Sequence, residues 1–115
     1  MIAREHRFHG HNSLNYLFRR GRTVRAEFMA LRYSHNKRSD FRMAVIVSRK
    51  VSKSAVVRNR IRRRLYEIVR LLHKEQGQKW PYDLSITVFD ERVAAVNHHE
   101  LDEAVKHLIK KAGIY

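Results

Sequence analysis

A chain of 115 residues that is 43% apolar is long enough for one domain with a modest core, and its lack of cysteine excludes disulfides and thiolate metal sites. Its formal charge of +14 is concentrated in residues 1–70, which hold 19 Lys and Arg against four acidic residues. Because this surplus repels itself, we expect a polyanionic partner, and the absence of any apolar run of membrane-spanning length favours a soluble, cytoplasmic protein.

The first predicted elements are a short helix and two strands. Asn12 or Ser13 can cap a helix through LNYLFRR, and Gly21 is placed to end it in the left-handed conformation. Strand formers predominate at 23–33, where poor alternation predicts a strand buried on both faces or one with a bulge. RMAVIVS at 42–48 alternates cleanly, and we expect it to pair with the preceding strand as a hairpin.

A long helix follows, with Ser54 before it and Gly77 after it. The 22 residues between them contain no Gly or Pro and predict a helix of roughly 33 Å. Apolar residues recur along it at steps of three and four, which is the pattern of a face packed on a sheet. They are Val57, Ile61, Leu65, Ile68 and Leu72.

The last two predicted elements are a strand and a helix. Leu84, Ile86 and Val88 alternate with other residues in LSITVF, which is typical of a strand. Asn97, with Glu100 three residues on, forms a capping box for a C-terminal helix. The order helix, strand, strand, helix, strand, helix predicts a single-domain α+β sandwich with a central β-sheet.

The most unusual stretch is SRKVSKSAVVRNRIRRRLYE at 48–67. Eight of the 16 residues from Arg49 to Arg64 are basic and none of them is acidic. Arginine predominates in the helical part, which favours bidentate phosphate contacts and stacking on bases. A solvated helix face is the alternative, but so many cations without carboxylates favour nucleic acid. On a helical wheel the side opposite the apolar face carries Asn59, Arg63, Tyr66 and Arg70, while Arg64 lies near the apolar edge and has to extend out to solvent.

Aromatic and basic residues also occur together near the N-terminus. Phe18 on the first helix, with Phe28, Arg32 and Tyr33 on the first strand, could stack on bases. Stacking of this kind requires a single-stranded nucleic acid, because duplex bases are already stacked. Core packing is the alternative for Phe18 and Phe28.

No catalytic or metal-binding residue is predicted. His99, Glu103 and His107 share one face of the last helix, where metal binding is geometrically possible but a solvated face is favoured. A protein nuclease needs clustered carboxylates or a His pair in a cleft, and the sequence offers neither. We therefore expect the chain to bind a polyanion rather than to cut one.

The segment at 50–67, KVSKSAVVRNRIRRRLYE, resembles the signature of the bacterial ribonuclease P protein family. The RNR triplet at 58–60, followed by isoleucine and further basic residues, matches the family motif closely. The likeness extends over nearly the whole chain. It includes Phe18 before Gly21, RMAV leading into SRK, YDL opening the last strand, and the closing HLIKKAGIY.

The resemblance implies a ribosomal protein S5 domain 2-like fold with a left-handed βαβ crossover, whereas general rules favour a right-handed one. It also implies the protein subunit of ribonuclease P, an endoribonuclease that removes the 5′ leader of precursor tRNA. In this family the RNA subunit performs the hydrolysis with Mg²⁺ held by RNA. The implied partners are ribonuclease P RNA and precursor tRNA, with no DNA and no membrane. Residues 1–115 would form one RNA-binding domain, with a flexible segment at 1–11.

The family likeness further implies which residues bind RNA. The leader would lie in a cleft between the first helix and the sheet, using Phe18 with Arg32 or Tyr33. At two positions the chain departs from the family pattern, since Arg64 and Tyr66 replace a usual leucine and arginine. The residues that would face RNA along the basic motif are Arg49, Lys50, Lys53, Arg58, Asn59, Arg60, Arg62 and Arg63.

Two other functions use the same basic helix. A structural RNA-binding protein of the ribosomal kind would hold folded RNA without any part in processing. A DNA-binding basic region is disfavoured, because no zipper heptads follow the segment.

Overall fold

The structure is a computed structural model that describes residues 6, 8 and 11–115, with the backbone alone for 11–13. The predicted flexible segment at 1–11 lies almost wholly outside this part of the chain. The described residues form three helices, four strands and a short 3₁₀ turn, which confirms the predicted α+β class with one strand more than expected. The elements are α1 His11–Arg20, β1 Arg22–Arg25, β2 Met29–His35, β3 Arg42–Ile46, α2 Ala55–Gln76, β4 Tyr82–Val88, the 3₁₀ turn Glu91–Ala94 and α3 His98–Lys111.

The strands form one sheet in the order β1-β2-β4-β3, with β2 antiparallel and β3 parallel to β4. The predicted hairpin between 23–33 and 42–48 is therefore wrong. The range 23–33 itself contains the hairpin, because Ala26 N–H donates to Met29 O at 2.8 Å and closes a tight turn without Gly or Pro. β4 lies between β2 and β3, and five of its seven residues are buried. The strand with the cleanest apolar alternation thus takes the central position.

The parallel pair β3 and β4 starts at an ion pair. Arg42 lies opposite Asp83 in the register, and its guanidinium donates from Nε to Oδ1 at 2.9 Å and from Nη2 to Oδ2 at 2.8 Å. The side chains of Arg42 and Asp83 are only 15% and 7% exposed. Because water solvates them poorly, removing one partner would leave the charge of the other nearly buried and uncompensated. The connection β3-α2-β4 is the βαβ unit that the family resemblance implies, and the left-handed sense of its crossover remains a prediction.

Helix α2 has the predicted bounds and the predicted buried face. Ser54 caps it by accepting from Val57 N–H at 3.2 Å, and Gly77 ends it at φ 65°. The apolar positions at 61, 65, 68 and 72 are buried together with Val69, while Val57 is half-buried. Each buried Leu or Ile contributes about 1.5–3 kcal/mol, so this face fixes how the helix is rotated on the sheet.

Three local predictions at helix ends can be compared with the structure. The Asn97 cap of α3 is confirmed, since its Oδ1 accepts from His99 N–H at 2.8 Å. The predicted cap of α1 is wrong, because the helix begins at His11 and the residues at 12 and 13 lie in its first turn. The left-handed conformation of Gly21 is also wrong. A Cβ there would lie 2.5 Å from Leu17 O and 2.9 Å from Arg32 Cγ, so close approach explains this glycine.

Candidate nucleic-acid interface

Helix α2 lies beside β3, one of the two edge strands of the sheet, and side chains on its flank bond to that strand. The Val45 N–H donates to Tyr66 Oη at 3.3 Å, and Arg62 Nη2 donates to Val47 O at 3.5 Å. The placement of Tyr66 on the outward side of the helix is therefore wrong. The backbone groups of an edge strand need partners, and the tyrosine hydroxyl supplies one across the helix flank.

The loop between β3 and α2 is held by hydrogen bonds that leave its cations exposed. Arg58 Nη1 donates to Ser52 O at 2.9 Å, and Val51 N–H donates to Ser48 O at 3.1 Å. Arg58 is thus half-buried, and its guanidinium holds the loop that precedes α2. The three loop cations are all exposed, and they are Arg49, Lys50 and Lys53.

The outward side of the first turns of α2 carries the remaining candidate residues. Asn59, Arg60 and Arg63 are exposed, and Asn59 Oδ1 accepts from Arg62 Nη1 at 3.0 Å. Within 11–115 the structure gives Arg60 and Arg63 no internal hydrogen bond, so their donors point to solvent. Val56 lies among them with 74% of its surface exposed, a residue that sequence reasoning did not select. We call this set, with the loop cations, the α2 basic surface: Arg49, Lys50, Lys53, Asn59, Arg60 and Arg63.

The α2 basic surface ends after two to three turns of the helix. Arg70 Nε donates to Glu67 Oε2 at 3.1 Å, and this hydrogen bond holds the pKa of Glu67 below its ordinary value. The charge of Arg70 is therefore balanced by its own helix. The free positive charge is concentrated at the N-terminal half of α2 and in the loop before it.

Arg64 has a structural role that its position in the basic run does not suggest. Its guanidinium donates to Val93 O at 2.7 Å and to Val96 O at 2.6 Å, which ties α2 to the 3₁₀ turn. The prediction that it extends to solvent is therefore wrong. Burial, and after it the charge of Arg60, lowers the pKa of Arg64, although arginine remains protonated at neutral pH.

Phe18 and Arg32 form a second candidate group on the face of the sheet covered by α1. Arg32 Cζ lies 5.1 Å from the centroid of the Phe18 ring, and its Nη1 donates to Phe18 O at 3.0 Å. Arg32 Nε also donates to Thr23 Oγ1 at 3.4 Å. Phe18 is 38% exposed, whereas its neighbour Leu17 is fully buried, so Leu17 makes the buried contact of α1. Phe18 is left available to a ligand.

Tyr33 does not join this group. Adjacent strand residues point to opposite faces, and Tyr33 lies opposite Arg22 and Leu84 in the register, on the other side of the sheet from Arg32. Its ring centroid is 6.4 Å from that of Tyr82. Of the three candidate leader-binding residues, the structure brings together Phe18 and Arg32 and separates Tyr33 from them.

The described part of the chain contains neither a cluster of metal ligands nor a membrane-spanning helix. Within the described residues, no three His, Asp or Glu side chains are grouped closely enough to hold a metal ion. The face with His99, Glu103 and His107 is exposed on α3. No helix in the described part of the chain has the length and apolar content needed to cross a bilayer.

Similar proteins were found by sequence and by structure. The model of the Ribonuclease P family matches residues 2–113. The "Ribonuclease P protein component" of Clostridium kluyveri is 39% identical over 101 residues, covering 86% of this chain and 87% of that protein. Its counterpart in Clostridium botulinum (strain Langeland) is 32% identical over 114 residues, covering 97% and 98%. The RNase P protein of Staphylococcus aureus superposes with a TM-score of 0.80 over 96% of this chain and 97% of that one, at 21% identity, which supports the fold.

Proposed function

The chain belongs to the ribonuclease P protein family, as a protein component of that ribonucleoprotein, and from this premise we propose how it binds RNA. The α2 basic surface binds the RNA subunit, and Phe18 with Arg32 holds the single-stranded 5′ leader of precursor tRNA. The chain thereby assists endonucleolytic removal of the leader during tRNA maturation. The single observation that carries the proposal is the exposed set of unpaired cations at the start of α2.

The chemistry of the α2 basic surface fits phosphate. Arg60 and Arg63 present planar guanidinium groups whose donors have no competing acceptor among the described residues. A shallow depression of about 420 Å³ beside them is lined by Val56, Asn59, Arg62 and Arg63. An apolar residue and an amide among arginines suit the sugars and base edges of a folded RNA, which a purely ionic surface would not contact.

We assign the hydrolysis and its Mg²⁺ to the RNA subunit and the substrate. The lysines and arginines of the α2 basic surface have no acceptor atoms and repel a divalent cation. Its one amide oxygen, Asn59 Oδ1, accepts from Arg62, so the surface is unsuited to ligating Mg²⁺ directly. It can neutralise phosphates, which allows RNA strands to approach each other. The protein would then act on catalysis through RNA geometry. The cysteine-free composition fits assembly in the reducing cytoplasm.

The leader would be held by stacking on Phe18. A base stacked on an exposed aromatic ring contributes about 1–3 kcal/mol and requires no particular sequence. Arg32 lies at the ring and is anchored on the Phe18 carbonyl, so that the pair offers a flat aromatic surface beside a positive charge. A single-stranded leader fits this arrangement better than a duplex.

The alternative is a structural RNA-binding protein of the ribosomal kind, and reconstitution separates the two. The purified chain would be added to a bacterial ribonuclease P RNA at low Mg²⁺, and cleavage of precursor tRNA at the leader junction followed on gels. We expect a marked increase in cleavage rate. The RNA alone at high Mg²⁺ serves as the control for competence, and a competent RNA that the chain does not stimulate would contradict the proposal.

A further inference from the structure

A second basic and aromatic pocket lies where the ends of α1 and α3 meet the sheet. Its volume is about 380 Å³, which is large enough for one nucleotide and at the lower end of ligand sites. Its side chains come from α1, β1, β2 and β4 and from the residue that follows α3. The pocket is lined by Arg20, Arg22, Tyr33, Ser34, His35, Tyr82 and Ala112.

The register of the sheet explains why these residues meet. Arg22 on β1 lies opposite Tyr33 on β2, and His35 on β2 lies opposite Tyr82 on β4. Directly paired residues in antiparallel strands share a face, and positions two apart along a strand do so as well. Arg20 ends α1 one residue before Gly21 turns the chain into β1, which places two arginines at one edge of the pocket.

The aromatic rings are held in place before any ligand arrives. The Tyr33 and Tyr82 centroids are 6.4 Å apart at 62°, and those of His35 and Tyr82 are 5.3 Å apart at 74°. In such edge-to-face arrangements, rings contact each other without stacking face on face. Tyr33 and Tyr82 are both half-buried, so that little side-chain entropy is lost when a planar group stacks on them.

The charge of the pocket favours an anion. Arg20 and Arg22 are exposed, and no acidic residue is among the described residues that line the site. We propose that this pocket binds an unpaired RNA nucleotide, with its base stacked on the tyrosines and its phosphate held by the two arginines. The inference rests on the proposed function in one respect, namely that the polyanion bound by this chain is RNA.

The pocket is separate from the α2 basic surface. The pocket lies at the start of β4. The loop that leads into α2 follows the end of β3, and because β3 and β4 are parallel, that loop is level with the end of β4. The first and last residues of β4 are six residues apart, so the two places are separated by about 20 Å along the strand. One phosphate cannot contact both places, so the pocket takes its own nucleotide.

Binding to the pocket can be followed directly in the full chain by NMR. A short single-stranded oligoribonucleotide would be titrated in, and the aromatic ring signals of Tyr33 and Tyr82 recorded. We expect both to shift in a saturable way, because a stacked base changes the local ring current. The proposal would be overturned if the ring signals of Tyr33 and Tyr82 stayed unchanged at an oligoribonucleotide concentration that saturates the shifts of the α2 backbone signals.

Two substitutions test the roles of the base and the phosphate. Tyr82→Leu keeps an apolar side chain without the ring, and should weaken oligoribonucleotide binding by about tenfold, while Tyr82→Phe should bind as the parent chain does. Arg22→Gln should reduce the slope of log affinity against log salt by about 0.7, while Arg25→Gln, on the same strand outside the pocket, should not. Thermal melts confirm folding, and equal affinities for all four variants would reject the pocket.

The same variants identify where the nucleotide comes from. A defect of Tyr82→Leu in binding the RNA subunit alone assigns the pocket to that subunit. A defect confined to precursor tRNA with a long leader, and absent with a shortened one, assigns it to the leader. Failure of the wild-type chain to stimulate cleavage would instead contradict the proposed function, and it would leave the NMR result standing.

Discussion

Two neighbouring arginines of α2 offer a sharp test of the interface, because the structure gives them opposite roles. Arg63 is exposed on the α2 basic surface, whereas Arg64 donates to the carbonyls of Val93 and Val96. Substituting each with methionine removes one charge and keeps a similar aliphatic length. Arg63→Met should affect RNA binding, and Arg64→Met should affect stability.

The expected magnitudes follow from the contacts. Each hydrogen bond from a charged group contributes about 1.5–3 kcal/mol, and part of that is offset by the cost of burying the guanidinium, so Arg64→Met should cost about 2–4 kcal/mol. At about 4 °C per kcal/mol for a chain of this size, its Tm should fall by about 8–16 °C. Exposed Arg63 has no such contacts, and its substitution should change stability by about 0.5 kcal/mol or less.

The assay combines thermal melting with RNA binding at several salt concentrations. Loss of one phosphate contact should flatten the slope of log affinity against log salt by about 0.7–0.9 for Arg63→Met. Arg64→Met, measured well below its Tm, should keep the slope of the wild-type chain. The reasoning is refuted if Arg64→Met melts like wild type and flattens the slope, because Arg64 would then contact RNA and not the 3₁₀ turn.

Two further predictions concern the acid stability of the fold and the leader. Although burial raises it, hydrogen bonds from the Trp80 and Phe41 N–H groups and from His73 hold the pKa of Asp40 below its ordinary value. Its contribution to stability is therefore complete above the unfolded pKa of about 4 and is lost as pH falls through the lower folded pKa. Asp40→Asn should be less stable than wild type in urea at pH 7, by a margin that closes below about pH 4, and a margin independent of pH would contradict this origin. Phe18→Leu should weaken binding of precursor tRNA by about fivefold or more with no effect on mature tRNA, and an equal loss for both would argue against leader stacking.

The strand pairing shows what an alternating sequence pattern can and cannot predict about a sheet. The alternation in 42–48 places Met43, Val45 and Val47 on one face of the strand, and in the structure all three are buried. The same pattern could not reveal that β4 lies between β2 and β3, because a period of two defines faces and leaves neighbours undetermined. Nor could it reveal the tight turn after Ala26, where no Gly or Pro interrupts the run of strand formers.

The sequence alone determined the features that depend on residues close together in the chain. The length of α2, its cap at Ser54, its end at Gly77 and its division into an apolar face and a basic face follow from period and local hydrogen bonding. The family resemblance carried by the RNR motif came from the same stretch. Charge without a carboxylate cluster was also enough to predict a binder of a polyanion rather than a nuclease.

Only the tertiary structure decided which of these arginines are free. Arg64 finds its acceptors at Val93 and Val96, 29 and 32 residues further along the chain, and Tyr66 finds Val45 21 residues before it. The pocket with Arg22, Tyr33 and Tyr82 likewise exists only through strand register. Such contacts join segments whose proximity depends on the whole fold, so a helical wheel can place a residue on a side of a helix but cannot say what that side meets.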